Sequence, residues 1–210
     1  MKHKHPRTFH LPWSDEVHSN DKVIKSLNFF EDQEVVVTEK RDGENTSLYH
    51  NGSIHARSLD GSYHLWQDVI KAMWAGKCRD LPEGWRVVGE NLYAQHSIRY
   101  DSLKQWLEVF AIFDEKNTAL SWDETVEWCD LLGLIPVPVL WRGVWDEDQI
   151  RYIGYRLNAE TQEGYVVRVA AAIQYSDWST NVAKWVRKGH VQTEKHWTKS
   201  WVTNRRQTML

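Results

Sequence analysis

Cysteine is nearly missing from this chain. Cys78 and Cys129 are the only two in 210 residues, and they stand far apart. That excludes a disulfide framework and a thiolate metal cluster, and it points to a reducing compartment, the cytoplasm. No apolar run is long enough to span a bilayer and no secretory leader is recognisable, so no membrane association is expected. Repeats and low-complexity segments are missing too. So is an excess of positive charge: 26 Lys and Arg face 29 Asp and Glu, a net charge of -3. Attraction for a polyanion must therefore come from a local patch. The ten histidines do not make up for the missing thiolates. His3 and His5 sit at a polar terminus, and His190 and His196 have no cysteine nearby, so they read as scattered surface or core residues.

What is present is an ordinary globular composition, 41% hydrophobic and 26% charged, in a length that suits one sizeable domain. Thirteen tryptophans stand out. Most are expected in the core, although indole rings also stack on nucleic-acid bases. One basic patch is visible near the C-terminus, where Lys184, Arg187, Lys188, Lys195, Lys199, Arg205 and Arg206 alternate with Trp185, Trp197 and Trp201. Residues 189–210 thus read as a basic, Trp-containing tail, suited either to plain solvation or to contact with a nucleic acid.

Residues 1–30, interrupted by Pro6 and Pro12, read as a polar lead-in that wraps the domain. The β-branched run Val35-Val36-Val37-Thr38 predicts a strand over 34–39, which Arg41-Asp42-Gly43 turns into a second over 46–50. Asn51-Gly52 predicts a tight turn into a third strand at 54–57, so 34–57 reads as an antiparallel meander with Lys40 at its first corner. Trp66, Val69, Ile70, Met73 and Trp74 recur at helical spacing. Further strands are expected at 85–93, 107–113, 164–169 and 181–186. One helix is expected to open on the capping box Ser121 to Glu124 and end at Gly133, and another to cover 146–155. That order implies an α+β fold, antiparallel sheets flanked by helices.

The chemistry gathers at Glu39-Lys40-Arg41-Asp42-Gly43-Glu44-Asn45. A lysine that ends an apolar strand immediately before a glycine turn is held in place. Its amine attacks only when neutral, a state that neighbouring cations and a bound metal ion favour by lowering its pKa. Taken alone, this Lys-x-Asp-Gly segment is a weak signal and reads first as a plain hairpin corner. Later segments, however, follow it in the order seen in one superfamily. Lys40 to Asn45 resembles motif I of the covalent nucleotidyltransferases, which comprise RNA ligases, DNA ligases and messenger-RNA capping enzymes. His55-Ala56-Arg57-Ser58 resembles the following arginine motif, Val88-Gly89-Glu90-Asn91-Leu92-Tyr93 motif III, and Val109 to Asp114 motif IIIa. Glu163-Gly164-Tyr165-Val166-Val167-Arg168 resembles motif IV, and Val182-Ala183-Lys184-Trp185-Val186 motif V. Asn45, five positions after the lysine, is closer to the RNA-ligase branch than to DNA ligases.

The resemblance implies one nucleotidyltransferase (adenylation) domain over 1–210, of the ATP-grasp-like ligase type. It also implies an ATP-dependent RNA ligase that acts through a lysyl-AMP intermediate and an adenylated 5′ end. Lys40 would attack the α-phosphate, with Lys184 supplying charge and Glu163 organising magnesium or manganese. Glu39 would face the adenine amino group, Phe113 would cover the base, Glu90 would bind ribose hydroxyls, and Arg57 would grip phosphate or ribose oxygens. Asp42 and Asn45 would stabilise the nucleotide pocket. Val186 stands where relatives carry a second motif V lysine, and Lys188 is the expected replacement. The chain after motif V is too short for the oligonucleotide-binding barrel of DNA ligases and capping enzymes. The expected partners are ATP and RNA ends, and the chain is expected to act as a monomer. The alternatives are DNA ligation, guanylyl transfer to RNA, or a non-catalytic module that only binds nucleic acid.

Overall fold

The β-branched run that begins at Val35 forms the centre of the molecule. A computed structural model describes residues 2–59, 63–189 and 201–207, and in it Val35 to Glu39 are all buried. A strand covered on both faces is expected to be largely apolar, as Val35 to Val37 are, while the buried Thr38 and Glu39 that follow are hydrogen-bonded. This strand, β2 (Glu34–Lys40), lies between β10 (Gly164–Val169) and β9 (Val139–Val144). With β12 (Val182–Val186) and β1 (Phe9–His10) they make a five-stranded sheet in the order β1-β12-β10-β2-β9. The second sheet runs β11 (Ile173–Gln174), β7 (Thr118–Ala119), β6 (Leu107–Phe113), β5 (Arg86–Asn91), β3 (Glu44–Tyr49), β4 (Ile54–Ala56), with β8 (Ile135–Pro136) joining β6.

Helices cover the outer faces. α3 (Glu147–Arg156) brings Ile150 and Ile153 into the cluster that holds Tyr165 and Trp185 of the first sheet. Gly154 lets it approach: a Cβ there would already lie 3.3 Å from the Trp185 ring. On the second sheet, Ile70 and Trp74 of α1 (Gln67–Ala75) and Cys129 of α2 (Trp122–Leu131) pack on Leu48, Val87, Leu107 and Ile112. Trp74 is fully buried, and its indole N–H is satisfied by the Tyr49 carbonyl at 2.8 Å. α2 opens on the expected capping box, with Ser121 and Glu124 exchanging side chain to backbone bonds. The short α4 (Trp178–Asn181) precedes β12. Both cysteines are free and buried. No helix among the described residues is long and apolar enough to cross a membrane.

The α+β expectation holds, with three differences in detail. Residues 34–57 are not one meander: β3 and β4 pair as expected, but β2 belongs to the other sheet, and the chain crosses between sheets at Lys40–Gly43. The lead-in does more than wrap, because β1 pairs in parallel with β12, Phe9 opposite Ala183 and His10 opposite Lys184. β9 was not expected although Val139-Leu140-Trp141 is apolar, because Pro136 and Pro138 before it and Gly143 within it argue against a strand; it is an edge strand, where such residues are tolerated.

Candidate active site

The crossing between sheets decides where Lys40 goes. At the end of β2 the chain leaves the first sheet, and Arg41-Asp42-Gly43 carries it to the start of β3 in the second. Only glycine fits the third position of this link, since a Cβ on Gly43 would lie 2.4 Å from the Asn91 carbonyl oxygen. Asp42 pins the link: its amide donates to the Tyr100 hydroxyl at 3.0 Å and its carboxylate accepts the Ile98 amide at 2.7 Å. Lys40 therefore stands between the sheets on a backbone fixed at both ends.

Glu163 meets it from the strand alongside. Gly164 is opposite Lys40 in the ladder, and a Cβ on Gly164 would come 2.1 Å from the Trp185 carbonyl oxygen, so this position also requires glycine. Lys40 Nζ donates to Glu163 Oε2 at 2.6 Å, and the Glu163 carboxylate is nearly buried. Burial pulls the Lys40 amine down, but Glu163, with Glu90 and Asp42 behind it, outweighs burial and holds the ammonium above the ordinary lysine value. The groups that set this value are carboxylates, not the cations that the sequence reading placed beside Lys40. The lowered amine is Lys184, held down by burial first and by the charge of Lys40 second.

Across the gap, Asn45 of β3 lies opposite Glu90 of β5. Glu90 accepts the Gly43 amide at 3.2 Å, and burial, helped by the Glu163 charge and opposed by Lys40, pushes its carboxyl up to about 8. Lys184 of β12 lies opposite Val166, which in turn lies opposite Thr38. Its ammonium is 3.9 Å from Asp21.

A cavity of about 210 Å³ opens between the sheets, and Glu39, Lys40, Asn45, Arg57, Glu90 and Lys184 all line it. Asp42 and Glu163 are not part of the lining and act through the bonds just described. Arg57 is exposed at the rim. Both Glu39 oxygens are engaged, one by Arg41 at 2.6 Å and the other by Gln162 at 2.9 Å, while Arg41 also grips Glu108 at 2.6 and 3.1 Å. The buried Asn45 Oδ1 has no hydrogen-bond partner, an acceptor left facing a site that a ligand can complete.

Phe113 and Lys188 are not brought to this cavity. β6 carries a bulge: Val88 pairs with Ala111 and Gly89 with Val109, leaving Phe110 as the extra residue. The alternation that would have set Val109, Ala111 and Phe113 on one face is broken there. Val109 packs under the helices, whereas Phe113 is fully buried against Trp178 and the Arg86 guanidinium. Phe110 lines the cavity instead. Lys188 is exposed beyond the end of β12. Arg187, buried, bonds the Gln162 carbonyl at 2.8 Å and so braces the segment that carries Glu163.

Sequence reasoning also missed His5 and Arg168. Both are buried in the cavity wall, and each has a side-chain nitrogen without a hydrogen-bond partner. Burial, then Arg57 and Arg86, lowers His5 to about 3, so its ring is neutral. Burial alone lowers Arg168 to about 10. An arginine inside the apolar run Gly164 to Val169 was the one available hint. Nothing in sequence links His5 to residues so distant. Of the basic tail, Lys195, Trp197 and Lys199 lie outside the described residues. Trp201 packs on Trp66 and Tyr93, and the segment around Asn204 pairs with the loop after β5.

The same architecture occurs in solved structures. A variant of the Naegleria gruberi RNA ligase solved with ATP and manganese superposes with a TM-score of 0.59 at 15% identity, covering 91% of this chain and 62% of that one. A second variant of that ligase, without ligand, gives 0.59 at 16%, with 90% and 58% covered. An Aquifex aeolicus protein described as a candidate ATP-dependent DNA ligase gives 0.54 at 19%, with 87% and 49% covered. This chain thus spans less than two thirds of the length of each. No curated protein matches it. The RNA ligase family model, by contrast, aligns with residues 33–186, from the start of β2 to the end of β12 and through every element that carries the cavity's charged groups, so this chain belongs to the RNA ligase family.

Proposed function

We propose that this chain is an ATP-dependent RNA ligase with a single adenylation domain, in which Lys40 is the nucleophile. The observation that carries the reading is the Lys40 amine, fixed between two sheets at 2.6 Å from Glu163 and sharing one cavity with Glu90, Lys184 and Arg57. In the first step Lys40 Nζ bonds to the α-phosphorus of ATP, the bond between the α-phosphorus and the bridging oxygen breaks, and pyrophosphate leaves. The amine attacks only after its proton has left, and Glu163 Oε2 is the acceptor in contact with it. Lys184 and Arg57 are placed to meet the negative charge that spreads over the phosphate oxygens. A 5′-phosphate oxygen then takes the AMP from Lys40, and a 3′-hydroxyl displaces the AMP to seal the strand.

A divalent ion fits this site in a limited way. Among the described residues no group of three or more His, Cys, Asp or Glu side chains is arranged to hold a metal. Magnesium or manganese would rest on the Glu163 carboxylate with the remaining oxygens from nucleotide and water, a mode usual for magnesium. When bound it supplies positive charge beside the phosphates. Half-buried Glu90, its carboxyl raised to about 8, is suited to hydrogen-bond ribose hydroxyls, and Phe110 takes the base-covering part first expected of Phe113.

The test is incubation with ATP labelled at the α-phosphate and magnesium, then denaturing electrophoresis. Wild type is expected to retain acid-labile label and Lys40→Ala none. Equal labelling of both proteins would reject Lys40. Labelled wild type offered nicked or single-stranded RNA or DNA ends reports the substrate, and failure to join any RNA end would reject the RNA-ligase reading.

A further inference from the structure

A ligase has to hold a strand as well as a nucleotide, and with the net charge at -3 the surface as a whole does not attract one. Cations nonetheless collect in one run. Beside β1 lies an open groove of about 380 Å³ lined by Arg7, Phe9, Lys22, Tyr175 and Ser179. Pro6 lines both this groove and the cavity, so the two adjoin. Past Pro6 the cationic line continues to Arg57 at the rim and Lys184 within, and Arg7 is near enough to Arg57 for their charges to repel.

The groove is built from fixed parts. Phe9 is held in the sheet opposite Ala183. Tyr175 donates its hydroxyl to the Lys4 carbonyl at 2.7 Å, and Trp178 donates to Thr8 Oγ1 at 3.1 Å, tying both walls together. The Arg7 guanidinium rests on the Asn20 carbonyl at 2.9 Å, and the Lys22 ammonium sits 5.5 Å from the Phe9 ring centre. The acids nearby are engaged: Asp21 with His10 at 3.3 Å and with Lys184, and Asp177 with the Ser176 hydroxyl at 2.9 Å. Half-exposed rings flanked by exposed cations form the surface on which single strands bind, bases against rings and phosphates against cations.

We propose that this groove holds the 5′-terminal nucleotides of a single-stranded nucleic acid and presents the terminal phosphate to Arg57 and Lys184. The assignment rests on the ligase reading of the adjoining cavity, and it places strand binding on the N-terminal segment instead of the C-terminal tail.

The test is a double charge reversal, Arg7→Glu with Lys22→Glu, both at exposed side chains. Fluorescence anisotropy of a short labelled RNA carrying a 5′-phosphate is followed across a salt series, beside labelling of Lys40 by ATP. Affinity is expected to fall about tenfold or more, and the slope of log affinity against log salt to shrink by about 0.7 for each phosphate that the variant no longer neutralises, while ATP labelling keeps its wild-type rate. The neutral pair Arg7→Ala with Lys22→Ala is expected to show a smaller loss in the same direction. Lys71→Glu with Lys116→Glu, an equal charge change elsewhere, is expected to leave affinity near that of wild type. Unchanged affinity in the Arg7 and Lys22 pair, or an equal loss in the control pair, overturns the groove. Because anisotropy needs no chemistry, a wild type that binds RNA through these residues but takes no label from ATP would sink the ligase reading and leave the groove standing.

Discussion

Phe110 and Phe113 lie three positions apart on one strand and have different surroundings. One faces the cavity, and the other is fully enclosed beside Trp178 and Arg86. Truncating each to alanine should therefore separate binding from stability. Phe113→Ala is expected to cost about 3–5 kcal/mol, read by urea unfolding. Phe110→Ala is expected to raise the ATP concentration needed for half-maximal labelling of Lys40 and to change the unfolding midpoint much less. The reverse pattern would return the base-covering role to Phe113. Glu90 offers a pH test. Its carboxyl is raised from the ordinary 4.5 to about 8, chiefly by burial, so its contribution to stability is whole below about 4.5 and is lost as pH rises through 8. Glu90→Gln, which has no proton to lose, is expected to gain stability over wild type progressively between those limits. A difference that stays flat from pH 4.5 to 8.5 in chemical denaturation would show that Glu90 does not titrate there. Lys40 and Glu90 were legible as candidates from their motifs, and both line the cavity. The bulge that exchanges the two phenylalanines was not, because alternation along a strand is visible in sequence whereas a one-residue slip against its neighbour is a property of the pair.

At the scale of elements, the C-terminal segment proves to be a strap. Asn204 is buried and bonds the Leu92 carbonyl at 2.8 Å and the Tyr100 amide at 2.9 Å through its side chain, and the Tyr93 carbonyl at 3.0 Å through its backbone. The Arg205 amide adds a bond to the Tyr100 carbonyl. The loop so held is the one whose Ile98 and Tyr100 fix Asp42. Asn204→Ala is thus expected to cost about 1–3 kcal/mol and to speed hydrogen exchange at Ile98 and Tyr100 ahead of amides in β2. Exchange rates that stay at wild-type values would detach the strap from the site. The helices were readable from an apolar face at helical period, and the long strands as short runs rich in apolar and β-branched residues, buried on both faces. β9 and the two-residue strands were not, since Pro136, Pro138 and Gly143 interrupt the apolar run of the first and the others are too short to show a pattern.

For the whole molecule, the cavity is the gap between two sheets, and a nucleotide bound there would touch both. Saturating ATP with magnesium should accordingly raise the melting temperature. The stabilisation reaches about 2.7 kcal/mol when ATP stands at a hundred times its dissociation constant, and the shift should shrink in Arg57→Ala. A melting temperature indifferent to ATP would argue against nucleotide binding in this gap. The sequence by itself determined the α+β class, the lysine and the order of its companion motifs, because strand periodicity and residue chemistry are local and written along the chain. Only the tertiary structure decided that Lys40 stands where the chain changes sheets, that its ammonium donates to Glu163, and that His5, Phe110 and Arg168 wall the same space. Each of those depends on contacts between residues remote in sequence, which packing alone brings together.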